Sequence, residues 1–399
     1  MEKETLWTKE FLIISLISFL SMLIFYLSIV CIAPYTTMEF HASTSTAGFA
    51  SGIFVLGSLC GRLGAGRQIG IVGANKILWI GLIIFAVTTT FYIAAFSLEL
   101  LIINRFVQGI GVGIVATGTG TIVAHLVPKS RKGEGIGYFS LSIILAMAIG
   151  PFVGIMLMNV KNGFDIIFIL NTIIAVICII IFAFVKLNLP LSKQESIENE
   201  PEQKPWIWKF IEKKSLPIAF MALLVGFGYS GIMSFISFYA VEIDLVTAAS
   251  YFHLVYAIVA MLSRPITGKL FDIKGGNLIV YPCLIILAFG MFLFSQASAG
   301  WMLLVSAGFI GLGHGNFNSI AQTIAVKVTE PQSFGLATST FFTLMNFGFG
   351  IGPYVLGFFV STYGYRSIFV SSAILFVICI PIYHLLHGRK DKELLETGD

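Results

Sequence analysis

The sequence predicts an all-α membrane protein whose twelve transmembrane helices form two pseudo-symmetric six-helix bundles. Three observations support this fold class: an apolar composition, twelve apolar runs of membrane-spanning length, and an internal repeat. Of the 399 residues, 57% are hydrophobic and 11% are charged, whereas soluble domains carry roughly 25% charged residues. The net charge of +4 does not indicate nucleic-acid binding, because the basic residues lie in short segments between apolar runs.

The apolar runs are long enough to cross a bilayer, whose hydrocarbon core needs about 20 helical residues. The 40 glycines are typical of membrane helices that approach one another closely. The predicted spans are 11–33, 45–66, 77–97, 100–123, 136–158, 164–186, 216–240, 248–268, 277–297, 301–325, 335–361 and 365–387.

Lysine and arginine predict the orientation, because cytoplasmic loops carry an excess of both. We expect a cell-membrane protein with both termini in the cytoplasm. In this orientation Lys161 and Arg366 are the only lysine and arginine counted in the loops on the outer side of the membrane. The predicted inner residues are Arg62, Arg67, Lys76, Lys129, Arg131, Lys132, Arg264, Lys269 and Lys274.

A polar, charged segment at 187–215 interrupts the apolar rhythm and predicts a cytoplasmic linker. It separates an N-terminal bundle, residues 1–186, from a C-terminal bundle, residues 216–399. The five cysteines lie singly inside apolar runs, which is typical of small core residues and not of a metal or disulfide framework. No cofactor is expected.

The two halves match when the sequence is shifted by 202 positions. Gly150-Pro151 falls on Gly352-Pro353, and three alternate glycines at 109, 111 and 113 fall on those at 311, 313 and 315. Arg62 falls on Arg264, within a glycine-containing segment that also matches. Two parallel repeats around an axis along the membrane normal indicate a transporter architecture.

The fourth span contains Arg105 and Gln108 before a series of glycines. A dinucleotide-binding loop is one interpretation, but Ile114 breaks its fingerprint, and no strand or suitably spaced acid accompanies it. The other interpretation is a buried charge with a functional role. Such a charge costs roughly 2.5–3.5 kcal/mol at membrane depth. Arg105 is therefore predicted to face protein or water, although snorkelling to the surface is an alternative.

Three motifs resemble the major facilitator superfamily, and most closely its twelve-span bacterial drug:proton antiporters. The first is this fourth-helix pattern, with Leu101, Arg105, Gln108, Gly109 and Gly111. The resemblance places Arg105 and Gln108 near the path of coupling and substrate. It also implies alternating access between the two bundles.

The second motif follows the second and eighth spans. The second half keeps it, as Gly268, Asp272, Lys274 and Gly275, whereas Gly70 stands where the first half should have its aspartate. In the family this motif latches the cytoplasmic side, although topogenic charge at a tight turn is the alternative interpretation. The implied gating residues are Arg62, Arg67, Arg264, Lys269 and Asp272.

The third motif resembles the fifth-helix antiporter pattern, which favours export. Gly150 and Pro151 match it and are added to the gating residues, whereas Ala146 and Ile155 replace two of its glycines. Plain helix packing is the alternative, because Gly352-Pro353 has a similar form.

Helix 10 carries the predicted coupling site, because the acidic residues all fall in loops or at the ends of spans. His314, Asn318 and Gln322 recur every four residues and form one polar stripe. Histidine titrates with a pKa near 6.5, which suits a physiological proton gradient. Hydrogen bonding between helices is the alternative. His253 and His125 are further candidates.

The predicted function is proton-coupled efflux of small amphipathic molecules or drugs. Import of a small metabolite, such as a sugar or organic acid, is the alternative. An enzyme is not expected, because no metal cluster or activated nucleophile appears at membrane depth. Expected partners are the small-molecule substrate, protons and the lipid bilayer, without nucleic acid, for a functional monomer. The predicted substrate-cavity residues are Tyr26, Ser28, Tyr229, Ser230 and Ser234.

Overall fold

The computed structural model describes residues 6–94, 97–128, 132–185, 211–329 and 333–389. The regular elements of these ranges are helices, which confirms the predicted fold class. Most of the predicted linker, positions 187–210, lies outside the described residues, as do Lys129, Arg131 and the side chain of Asp272.

Eleven long helices follow the predicted spans closely. Their bounds are α1 Lys9–Phe40, α2 Thr44–Val72, α3 Ala74–Thr90, α4 Leu98–Leu126, α5 Lys132–Met158, α6 Gly163–Ala183, α7 Leu216–Glu242, α8 Val246–Lys274, α9 Asn277–Ser295, α10 Gly300–Lys327 and α11 Phe334–Tyr383. A 3-10 helix at Phe91–Ala94 extends α3, and a π-helical turn at His384–Gly388 follows α11.

Helix α11 consists of two helical segments joined at Gly364. The backbone there is non-helical, with φ 78° and ψ 171°. Glycine adopts positive φ readily because it lacks a Cβ. Counting α11 as two gives twelve helical segments among the described residues, in agreement with the predicted spans 335–361 and 365–387.

Ten of the described helices, counting α11 once, are long and apolar enough to cross a membrane. Helix α10 is not among them, because its second half carries His314, Asn316, Asn318 and Gln322. A polar helix at membrane depth must turn its polar groups toward protein or water. Two of these side chains, His314 and Asn316, are indeed buried.

The contacts divide the chain into two compact units. The first comprises Met1–Ala42 and Ile53–Glu200, and the second comprises Ser43–Gly52 and Pro201–Asp399. The start of α2 clusters with the second unit because Gly48 and Gly52 lie directly against backbone carbonyls of α11, those of Pro353 and Gly350.

Gly109 and Gly113 of α4 pack the helix against α2 within the first unit. A Cβ at Gly109 or Gly113 would collide with the backbone carbonyl of Phe54 or Ser58. The second unit repeats the arrangement, since a Cβ at Gly311 would lie 2.5 Å from the carbonyl oxygen of Tyr256. Small residues that let backbones meet are the usual means of packing membrane helices.

Substituting Gly109 by alanine is expected to destabilise the protein. The added methyl group has no room against α2, and overpacking of this kind costs about 1–3 kcal/mol. Gly64 on α2 is the matched control, because nothing lies within 4 Å of its Cβ position. Thermal unfolding of the purified variants should show a lower midpoint for Gly109→Ala and an equal or higher one for Gly64→Ala. Equal midpoints would contradict the packing role.

Candidate functional site

Arg105 lies two turns into α4, at a depth fixed by the start of that helix. The hydroxyl of Ser97 caps α4 by accepting a hydrogen bond from the backbone N–H of Leu100 at 3.2 Å, as is usual for an N-cap serine. Seven residues of helix beyond Leu98 carry Arg105 about 10 Å along the axis.

The guanidinium of Arg105 is fully buried. Its Nη1 donates to the hydroxyl of Tyr92 at 3.2 Å and to Oε1 of Gln108 at 3.1 Å. Its central carbon lies 4.5 Å from the centre of the Phe54 ring, a cation–π contact. Arg105 therefore faces protein and does not snorkel to the surface.

Gln108 joins this guanidinium to α3 and its 3-10 extension. Its Oε1 accepts a hydrogen bond from the Tyr92 hydroxyl at 2.6 Å, and its Nε2 donates to Thr89 at 3.0 Å. The Tyr92 ring in turn stacks on Phe168 of α6 at 5.1 Å. The cluster Arg105–Gln108–Tyr92–Thr89, here called the arginine cluster, thus rests on three elements of the first unit.

His314 is the centre of a second polar cluster, which lies wholly in the second unit. Its Nδ1 is 2.6 Å from the hydroxyl of Tyr256 on α8. Its Nε2 is 3.1 Å from Nδ2 of Asn318, one turn later on α10. The Tyr229 ring of α7 stacks on the imidazole at 4.0 Å, and Phe349 of α11 meets both rings edge-on. These five residues are called the histidine cluster.

The hydrogen bonds assign the tautomer of His314. An amide nitrogen only donates, so Nε2 of the imidazole accepts from Asn318 and Nδ1 carries the hydrogen, which it donates to Tyr256. The Oδ1 atom of Asn318 has no hydrogen-bond partner among the described residues.

Arg62 and Arg264 occupy equivalent positions in α2 and α8 and are buried to a similar degree. Each is half-buried, with an Nε atom that is buried and lacks a hydrogen-bond partner among the described residues. The charge of Arg62 acts on Tyr26, and that of Arg264 acts on His314. Arg67 and Lys269, by contrast, are exposed.

The remaining predicted residues have varied surroundings. Gln322 is half-buried and forms no hydrogen bond with the described part of the chain, so the stripe on α10 is connected only from His314 to Asn318. Gly150 packs against Tyr26 and Leu27 of α1, next to the buried Pro151.

The predicted serines of the substrate cavity are all buried. Ser28 accepts a hydrogen bond from Asn171 at 3.0 Å, and Ser230 donates to the carbonyl of Phe227 at 2.6 Å. Ser234 has a buried hydroxyl without a hydrogen-bond partner among the described residues.

Sequence reasoning missed Tyr92, Phe54, Tyr256 and Asn316. Asn316 connects α10 to α8, since its Nδ2 donates to Ser263 and its Oδ1 accepts from Thr267, both at 2.7 Å. The sequence carries one signal for two of them, because the shift of 202 positions places Phe54 on Tyr256. In the structure one ring contacts Arg105 and the other binds His314.

Comparison with known proteins decides the family. The sequence profile of the Major Facilitator Superfamily matches residues 14–305 and 279–398. The chain belongs to the Major Facilitator Superfamily. This membership confirms the predicted family, and it makes the chain a multi-pass membrane transporter for a small-molecule substrate and not an enzyme.

Relatives within the superfamily are distant. An uncharacterized MFS-type transporter of Methanocaldococcus jannaschii is 26% identical over 365 residues, which cover 89% of this chain and 93% of the relative. Multidrug resistance protein 1 of Bacillus subtilis is 24% identical over 216 residues, 54% of each chain. The solved structure of the nucleoside transporter NupG superposes with a TM-score of 0.75 at 14% identity, over 95% of this chain and 99% of the other.

Proposed function

We propose that this transporter is a proton-coupled exporter of small amphipathic molecules or drugs, acting by alternating access as a monomer in the cell membrane, with both termini in the cytoplasm. The histidine cluster is the observation that carries this proposal. The partial likeness to a multidrug resistance protein and the Gly150-Pro151 pair on α5 support the outward direction.

His314 can accept a proton without losing either hydrogen-bond partner. Protonation adds a hydrogen to Nε2, which then donates instead of accepting. The side-chain amide of Asn318 then rotates by half a turn, so that its Oδ1 accepts the hydrogen bond from Nε2. This Oδ1 has no other hydrogen-bond partner among the described residues. Tyr256 keeps its bond to Nδ1. The cluster thereby provides two hydrogen-bonded states that differ by one proton.

The same cluster links the proton to an amphipathic substrate. In the neutral state, the imidazole, Tyr229 and Phe349 form a joined aromatic surface. A proton gives this surface a positive charge, which favours water over an apolar ligand. Substrate and proton therefore oppose each other's binding, and such reciprocal opposition is what exchange of one for the other requires.

Import of a small metabolite is the second candidate, and Arg105 favours it. Three side chains that contact this buried guanidinium, those of Tyr92, Gln108 and Phe54, are neutral. Arginine binds carboxylates strongly and with defined geometry. An organic acid that reached the arginine cluster would find a fixed positive charge.

We further propose that Arg62 and Arg264 act as gating residues, together with Arg67, Lys269, Asp272, Gly150 and Pro151. In this state the buried Nε of each repeat-related arginine lacks a hydrogen-bond partner among the described residues. A buried donor left unpaired is costly. A second conformation that supplies partners to both arginines would be stabilised accordingly.

Transport into inside-out membrane vesicles tests the proposal. The probes are chloramphenicol, norfloxacin and ethidium as neutral, zwitterionic and cationic drugs, with uridine, xylose and succinate as metabolites. An exporter should accumulate at least one drug when the vesicle lumen is acidic, and lose this accumulation when an ionophore collapses the gradient. Proton-driven movement of a metabolite out of the lumen would instead establish the importer. Accumulation that ignores the gradient would contradict proton coupling.

A further inference from the structure

The second unit contains a histidine that the proposed mechanism leaves unused. His253 lies in α8, seven residues after Val246. Its side chain is fully buried, and neither ring nitrogen has a hydrogen-bond partner among the described residues. Its ring contact there is with the neighbouring Phe252, at 5.3 Å. A neutral imidazole thus leaves both its N–H and its lone pair without a partner.

The contrast with His314 shows that this environment is unusual. Both imidazoles are buried in the same unit, but His314 has a partner on each nitrogen. Buried polar groups in proteins are almost always hydrogen-bonded, and an exception calls for an explanation. In the described state, an apolar side chain of similar size would fit position 253 better than histidine does.

His253 also lies in line with the histidine cluster. Gly311 packs on Tyr256, and Gly315 packs on Ala260, so α8 and α10 run parallel along this interface. His253 precedes Tyr256 by three residues and therefore shares its face of α8. Along the two helices the order is His253, Tyr256, His314 and Asn318.

Nearby charges do not explain why a histidine occupies this buried position. The titratable side chains that contact one another in the adjoining histidine cluster are Tyr256 on α8, His314 on α10 and Tyr229 on α7. The charge of Arg264 acts on His314, but no charged side chain of the described residues acts on His253. A proton placed on His253 in this state would therefore have no hydrogen-bond partner and no compensating charge among the described residues.

We propose that His253 is a second proton-binding site, occluded and neutral in this state and protonated in a state of the transport cycle that brings a polar partner to it. The inference rests on the proton-coupled function proposed above. A proton adds to the lone pair of one ring nitrogen, and no other bond changes. Histidine at position 253 is then required in the protonated state. In the described state the same side chain is left without hydrogen-bond partners.

Thermal unfolding of a matched pair of variants gives a readout independent of transport. His253→Leu removes a buried polar group without partners, so its unfolding midpoint should rise by about 2–4 °C. His314→Leu leaves Tyr256 and Asn318 without their partner, so its midpoint should fall by a similar amount. A fall for His253→Leu equal to that of His314→Leu would overturn the inference, because it would show that His253 is already well paired.

Transport by His253 variants provides the second arm. The probe is whichever vesicle compound the wild-type protein accumulates. The quantity to compare is the ratio of proton-driven accumulation to counterflow measured without a gradient. His253→Leu and His253→Gln should both lower this ratio about tenfold. Glutamine keeps the hydrogen-bonding capacity but cannot carry the proton. An unchanged ratio, with wild-type transport still proton-driven, would overturn this site alone. Wild-type transport that ignores the gradient would overturn the proposed function and this inference with it.

Discussion

Arg105→Ala is expected to abolish transport, lowering the rate by at least about 100-fold, while the protein still inserts and folds. The guanidinium is a fully buried charge in α4, held by Tyr92 and Gln108 and covered by Phe54. Its removal should not collapse the surroundings, because the Tyr92 hydroxyl donates directly to Gln108 at 2.6 Å. The loss should therefore appear in transport and not in stability.

Counterflow into proteoliposomes, together with the unfolding midpoint, measures this effect. Arg105→Lys keeps the charge but lacks the planar fork that reaches Tyr92 and Gln108 together. It should recover only a minor part of the activity. Lys161→Ala, which removes an exposed loop charge, is the matched control and should transport normally. Wild-type rates in Arg105→Ala would show that the arginine cluster has a structural role only.

His314→Gln is expected to separate transport from the pH gradient. Glutamine fills much of the imidazole volume and still hydrogen-bonds to Tyr256, but it has no proton to exchange near neutral pH. Counterflow should stay within about threefold of wild type, whereas proton-driven accumulation should fall at least about tenfold. His314→Ala should uncouple transport in the same way but with a lower unfolding midpoint, because Tyr256 and Asn318 lose their partner.

His125 provides the control for this prediction. It is an exposed histidine near the end of α4 that hydrogen-bonds to the carbonyl of Thr121. His125→Ala should retain normal pH dependence. If His314→Gln also retained it, coupling would have to reside elsewhere, and the histidine cluster would be no more than a set of hydrogen bonds between helices.

The fold could be predicted from the sequence because the bilayer imposes one rule on every span. Each span must be apolar and about 20 residues long, so spans such as 216–240 and 277–297 match α7 and α9 within a few residues. The packing of Ser43–Gly52 with the second unit was not predictable, because it depends on backbone contacts of Gly48 and Gly52 with α11 that chain order does not reveal.

The candidate site was predicted in part. Arg105 and His314 were found because a charged or titratable group in an apolar run is costly and therefore conspicuous. Their partners Tyr92, Phe54 and Tyr256 were missed, because aromatic residues are ordinary in membrane helices and nothing local distinguishes these three. Tyr92 also depends on the 3-10 extension of α3, whose backbone geometry turns its hydroxyl toward Gln108.

Substrate-induced proton movement tests most directly whether the histidine cluster couples export to protons. Purified protein would be reconstituted into liposomes that contain the pH indicator pyranine, with no initial pH gradient. The compound that accumulated in the vesicle assay would then be added outside. In liposomes with wild-type protein, entry of the probe should raise the internal pH, because protons leave in exchange. In liposomes with His314→Gln, any probe that enters should do so without that change in internal pH. Probe transport by the wild-type protein at constant or falling internal pH would contradict exchange of substrate for protons.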